Sequence, residues 1–321
     1  MAALFGLMEG AFQIVKAIHM RSIAAEASES SWMVYDEDLV YRPRYLPTAG
    51  ARSSGFRVVV LGASLIVGTK QGSLVGRVDT VVNQDHDLQR SEWINAGVPG
   101  YTNYQELVYL RKYCLALEPH LVGVVFSPHD VHRFLSDVKV VNGRILSGTS
   151  FWDPTPEAAG ATKGWALRLA RHSLVLRWLR SETALARRAV DMYESSGYDF
   201  DYRPDYSTAW QDSQWTTIKD QMTEMAELSK AHHFRLFLVY VPFGEQYRKD
   251  YLARDSNYVL KPQRLLGALM ADLKVPYLDL YPNLDNNCFQ SDHIHFTEEG
   301  KERAAQKIAE FLKTEQLLPV K

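Results

Sequence analysis

Apolar residues fall along this chain in short unbroken runs that alternate with stretches of helical spacing. Val58-Val-Val-Leu61 and Leu121-Val-Gly-Val-Val-Phe126 are continuous apolar runs bounded by small or polar residues, as buried strands are. Trp93–Ala96, Phe234–Val241 and Tyr277–Leu280, each interrupted by one polar residue (Asn95, Arg235 and Asp279), read as three more strands. Between them, apolar positions recur at three and four residues: Leu74, Val75, Val78, Val81 and Val82; Leu107, Leu110, Cys114 and Leu117, stopped by Pro119; Ile218, Met222, Met225 and Leu228; and a helix over Leu260–Leu273. A last helix is expected from Thr297, with Glu298 and Glu299 suiting its positive N-terminus and Ile308, Phe311 and Leu312 on its buried face. Strands alternating with helices predict an α/β fold with a parallel sheet covered on both faces.

Two other regions depart from that rhythm. At the N-terminus, Leu4, Leu7, Met8, Ala11, Ile14, Val15 and Ile18 predict an amphipathic helix, followed by an irregular, turn-rich lead-in to residue 54. No basic region or cleavage site marks a signal peptide, and no apolar run is long enough to span a bilayer. The helix is expected to dock on the domain; the other readings are contact with a membrane surface through residues 1–20 and the stub of an anchor from a longer chain. The middle, about 131–214, is the least regular part. Asn142-Gly143 reads as a hairpin turn, and a long basic helical region runs from about Lys163 to Glu194. Trp152, Trp165, Trp178, Trp210 and Trp215 fall here, and Tyr198–Tyr206 alternates aromatics with acids. These residues suit either an aromatic platform for a glycan or acyl chain, or an insertion with its own small core. The expected organisation is a lead-in over 1–54 and one domain over 55–321 carrying that insertion.

Composition narrows the function only by exclusion. Lys and Arg number 36 against 38 Asp and Glu, a formal charge of −2 that gives no bias toward nucleic acid. The two cysteines, Cys114 and Cys288, make neither a disulfide framework nor a metal motif, and the compartment stays open.

The candidate chemistry sits where strands end. Ser64 follows the first long strand in Gly62-Ala-Ser-Leu-Ile-Val-Gly68, at the carboxyl edge of the sheet where open α/β folds place ligands. It reads equally as a helix cap. Far along the chain, Asp292 and His295 stand three residues apart after the last strand. That spacing lets an acid orient an imidazole whose other nitrogen faces a nucleophile. A metal reading uses His129 and His132 with Asp292, His293 and His295, but leaves the glycine-flanked serine unexplained.

In this order the motifs resemble the SGNH hydrolases of the GDSL lipase and esterase superfamily. Four blocks carry the resemblance: Gly62-Ala63-Ser64 with Gly68; Asn95-Ala-Gly-Val-Pro-Gly-Tyr-Thr-Asn-Tyr-Gln105; Ser127-Pro-His-Asp130; and Asp292-His-Ile-His295. The resemblance implies a flavodoxin-like three-layer α/β/α sandwich and a triad of Ser64, Asp292 and His295, with no cofactor and no metal. It also implies an oxyanion hole of the Ser64 and Gly100 N–H groups. Ala63 stands where the family usually has aspartate, and His129 where it usually has the asparagine that donates to the oxyanion. His129 is the third expected donor. The implied activity is hydrolysis of an O-acyl ester, first of all an O-acetyl group on a carbohydrate. The alternatives are an O-acetyltransferase for an envelope or exported polysaccharide, and a glycan-binding or assembly protein with a weakened site.

Overall fold

A computed structural model describes residues 8–11, 13–14, 33–46, 55–131, 138–141, 144–147, 197–198, 200 and 207–321. The chain divides into two compact units, one of residues 1–45 and 135–197, the other of residues 46–134 and 198–321.

In the first unit, an antiparallel hairpin pairs β1 (Met33–Asp36) with β2 (Val40–Pro43), inside the stretch expected to be irregular. Asp36 makes the connection, its Oδ1 accepting from the N–H groups of Asp38 and Leu39. Residues 8–11 and 13–14 are helical, as the N-terminal spacing predicts; the rest of that helix and the basic region from Lys163 lie outside the described residues.

The second unit holds a five-stranded, all-parallel sheet of β3 (Phe56–Gly62), β4 (Ser91–Gly97), β5 (Leu121–Phe126), β8 (Arg235–Tyr240) and β9 (Tyr277–Asp279). Between β5 and β8 in the chain, and belonging to the first unit, β6 (Val138–Val141) and β7 (Arg144–Ser147) pair with Val141 opposite Arg144. Asn142-Gly143, expected as a hairpin turn, lies outside the described residues. The order in the large sheet is β4-β3-β5-β8-β9. This is the flavodoxin-like order, and its reversal of direction lies between β3 and β5.

The apolar runs become strands because both faces of the sheet are covered. On one face lie α1 (Leu74–Gln84), capped by Ser73 Oγ, and the C-terminal α6 (Glu298–Thr314), capped by Thr297. Val58 and Val60 of β3, Leu74, Val78 and Val82 of α1, and Ile308 and Leu312 of α6 share one core there. The remaining helices are α2 (Asn103–Tyr109), α3 (Asp212–Ala231), α4 (Lys249–Val259) and α5 (Lys261–Leu273). Past Tyr109 the α2 helix widens into a π turn over Leu110–Cys114 and tightens to 3₁₀ over Leu115–Leu117. Glu118, at φ +50°, ends it before Pro119.

The helix α4 has no counterpart in the apolar pattern, because only Tyr251 and Val259 are buried on it. Trp210, Trp215, Tyr198 and Phe200 are buried, and Phe200 stacks on both Trp210 and Tyr198. These four aromatics are core rather than a surface platform. Among the described residues, no helix is long and apolar enough to cross a membrane.

Candidate active site

Ser64 lies two residues beyond the last residue of β3, next to the switch point between β3 and β5. The chain leaves the strand in a tight turn, with Ile66 N–H donating to Ala63 O and Val67 N–H to Ser64 O. The serine is half-buried, while Ala63 before it and Leu65 and Ile66 after it are buried. Buried neighbours on both sides hold the turn while the serine itself faces partly outward.

Asp292 and His295 reach the same edge of the sheet from a hairpin-like loop. Phe289 bridges Phe296, Thr297 N–H donates to Cys288 O, and Gln290 N–H donates to His295 O at 2.7 Å. At the tip, Asp292 Oδ1 accepts from the N–H groups of Ile294 (2.9 Å) and His295 (3.0 Å). The other oxygen of that carboxyl, Oδ2, is thereby turned to the imidazole. The loop is tied down from the side by Gly244 N–H, which donates to His293 O at 2.7 Å.

The result is a continuous polar chain. Asp292 Oδ2 stands 2.7 Å from His295 Nδ1, and His295 Nε2 stands 2.8 Å from Ser64 Oγ. Partial burial pushes the Asp292 carboxyl up. The His295 side chain and the N–H groups of Ile294 and His295 together outweigh that and hold it below its ordinary value. An ionised Asp292 fixes the imidazole proton on Nδ1 and leaves Nε2 to accept from the serine hydroxyl. The side chains of His295 and Asp292 are 41% and 44% exposed, so the site opens to solvent.

Gly100 belongs to a turn anchored on the same strand end. Val98 N–H donates to Gly62 O at 3.0 Å, and Tyr101 N–H closes the turn on Val98 O at 3.2 Å. Pro99 and Gly100 at its centre, with Gly100 at φ +74°, make it a type II turn, which needs glycine at the second central position. The Gly100 N–H belongs to the central peptide and faces out of the turn. Neither it nor the Ser64 N–H donates to any acceptor among the described residues.

His129, half-buried, sits in the 3₁₀ turn Pro128–Val131 that follows β5. Behind it lies a feature the apolar pattern does not signal. Asp130 is buried, its Oδ2 accepting from Ser127 N–H (2.5 Å) and Ser127 Oγ (3.0 Å). Glu106 of α2, which packs against this turn, is equally buried. Among the described residues, neither Glu106 oxygen, nor Oδ1 of Asp130, has a hydrogen-bond partner.

Burial raises both carboxyls. The charge of Asp130 raises Glu106 further, and the Ser127 hydrogen bonds only partly offset burial at Asp130, which stands at about 7. The folded protein therefore holds protons that the unfolded chain releases from about pH 4 upward, so this pair makes stability fall as pH rises from about 4 to 7 and beyond. The melting temperature is expected to drop more between pH 5 and pH 8 in the wild type than in Glu106→Gln. Equal drops would contradict the pairing.

Among the described residues, no group of three His, Cys, Asp or Glu side chains is placed to hold a metal ion. Both ring nitrogens of His295 are already engaged, and His132 lies outside the described residues.

No family model and no curated protein matches the chain. Solved structures do. A lipase/acylhydrolase from Enterococcus faecalis is similar at 16% identity and a TM-score of 0.45, over 83% of this chain and 97% of that one. A GDSL-like lipase from Bacteroides thetaiotaomicron is similar at 17% and 0.41, over 81% and 88%. The likeness is one of fold alone. An acetyl xylan esterase is similar at 13% and 0.43, over 79% and 98%.

Proposed function

We propose that the chain is a serine esterase of the SGNH type, in which Ser64, His295 and Asp292 act as a triad on an O-acyl ester. The observation that carries this is the chain of two short hydrogen-bonding contacts from Asp292 through His295 to Ser64 Oγ. His295 takes the serine proton as Ser64 Oγ attacks the ester carbonyl. Asp292 stabilises the imidazolium. The N–H groups of Ser64 and Gly100, with His129 as a third donor, receive the charge that develops on the carbonyl oxygen. His295 returns its proton to the departing alcohol, then activates a water that releases the acyl group and restores the serine. The resemblance of the four motif blocks makes an O-acetyl group on a carbohydrate the first substrate to try.

The experiment is hydrolysis of a short-chain aryl ester by the wild type and two His129 variants, each with and without a chelator. Turnover is expected, and the chelator is expected to leave it unchanged. His129→Ala is expected to lose about a hundredfold in kcat, the typical cost of one oxyanion donor, and His129→Asn to retain more. Loss of wild-type turnover on chelation would overturn the mechanism. An unaltered rate in His129→Ala would remove His129 from the oxyanion site.

A further inference from the structure

The end of β4 carries a side chain that ties the two turns of the site together. Asn95 lies opposite Val60 of β3, two residues before Gly97. Its Nδ2 donates to the Ile66 carbonyl at 2.7 Å, and its Oδ1 accepts from the Gly97 N–H at 3.0 Å. Ile66 belongs to the turn that Ser64 opens. Gly97 leads into the turn that presents Gly100.

One amide therefore bridges the backbone that carries the serine and the backbone that carries the glycine donor. A steric contact reinforces it. The Ile66 side chain occupies space that only glycine leaves open, since a Cβ at Gly97 would stand 2.5 Å from Ile66 Cγ1. At Gly62 it would stand 3.0 Å from Ile66 Cδ1. Ile66 is thus gripped by its carbonyl from Asn95 and by its side chain from the glycines of β3 and β4.

We propose that Asn95 is a positioning residue that holds the Ser64 turn and the Gly97–Gly100 turn at fixed spacing. The inference rests on the serine-esterase reading. A tetrahedral oxyanion must meet the Ser64 and Gly100 N–H groups while its carbon is bonded to Ser64 Oγ. The two turns come from different strands, and the sheet's ladder between β3 and β4 ends at Gly62 and Gly97. Beyond that point, Asn95 and the Val98 N–H to Gly62 O bond set their separation. Displacements of about 1 Å in such a site cost on the order of a hundredfold in rate. A role confined to finishing β4 would instead show itself as lost stability, with the chemistry intact in the folded fraction.

Two variants separate these roles. Asn95→Asp keeps size and the acceptor for Gly97 but sets an acceptor oxygen against the Ile66 carbonyl; Asn95→Ala removes both bonds. With a short-chain aryl ester, kcat is expected to fall about ten- to hundredfold in each while KM stays within about twofold. Hydrogen–deuterium exchange over residues 63–68 is expected to quicken in both, with exchange in the interior of β3 unchanged. The proposal is overturned if both variants exchange like the wild type over 63–68. It is equally overturned if kcat stays within about twofold of wild type, or falls only in step with the unfolded fraction. A wild-type protein that turns over no ester would sink the esterase reading instead, and the exchange measurement would still decide whether Asn95 clamps the turn.

Discussion

Replacing Ser64 by alanine is expected to lower kcat on a short-chain ester by at least about 10⁴-fold. The hydroxyl that His295 Nε2 faces at 2.8 Å is then gone, and no other nucleophile takes its place in the chain to Asp292. A residual rate above the uncatalysed reaction is expected, because the Ser64 and Gly100 N–H groups survive the substitution. Stability should hardly change. Ser64 is half-buried and, among the described residues, its hydroxyl makes one hydrogen-bonding contact, to an imidazole that solvent also reaches. Steady-state kinetics with a thermal melt on the same sample reads both quantities. Wild-type rates in a folded Ser64→Ala protein would contradict the assignment.

Asp292→Asn is expected to cost nearly as much, about 10⁴-fold in kcat, for a different reason. The variant can keep an oxygen for the N–H groups of Ile294 and His295, so the loop tip should hold its shape. What changes is the group facing His295 Nδ1. An amide NH₂ there makes Nδ1 the acceptor and puts the imidazole proton on Nε2, where it points at Ser64 instead of receiving from it. The loss should fall mainly on kcat with KM little altered, since the substrate's remote contacts are untouched. A drop in KM-controlled binding alone, with kcat preserved, would argue that Asp292 only braces the loop.

The site was legible in the sequence to the extent that it is built from strand ends. Continuous apolar runs locate β3 and β5 because both faces of a parallel sheet are buried, and the small or polar residues after them mark its carboxyl edge. The three-residue spacing of Asp292 and His295 marked them as candidates, and the structure places them on a tip held by two backbone N–H groups. Less could be read where long-range packing decides. α4 escapes because it buries so little, and Asp255 interrupts its helical backbone. The β1–β2 hairpin escapes because its connection, Glu37–Leu39, depends on Asp36 taking two backbone N–H groups.

Glu106 and Asn95 show the same limit at the site itself. Glu106 is an acidic residue on a helix whose apolar face is obvious, yet it is buried beside Asp130 because α2 packs against the turn after β5. Asn95 appears within a glycine-rich motif, but its partner is a backbone carbonyl 29 residues earlier in the chain, which no local pattern marks. Side chains that bond to a distant backbone leave no periodic trace.

If His295 activates Ser64 as a nucleophile, a covalent probe of activated serines must label it. The most direct measurement is intact-mass analysis after exposure to a fluorophosphonate, with the adduct mapped by peptide mass. A single adduct on Ser64 is predicted, absent in Ser64→Ala and strongly slowed in His295→Ala. An unmodified wild-type protein, or an adduct on any other residue, would contradict it.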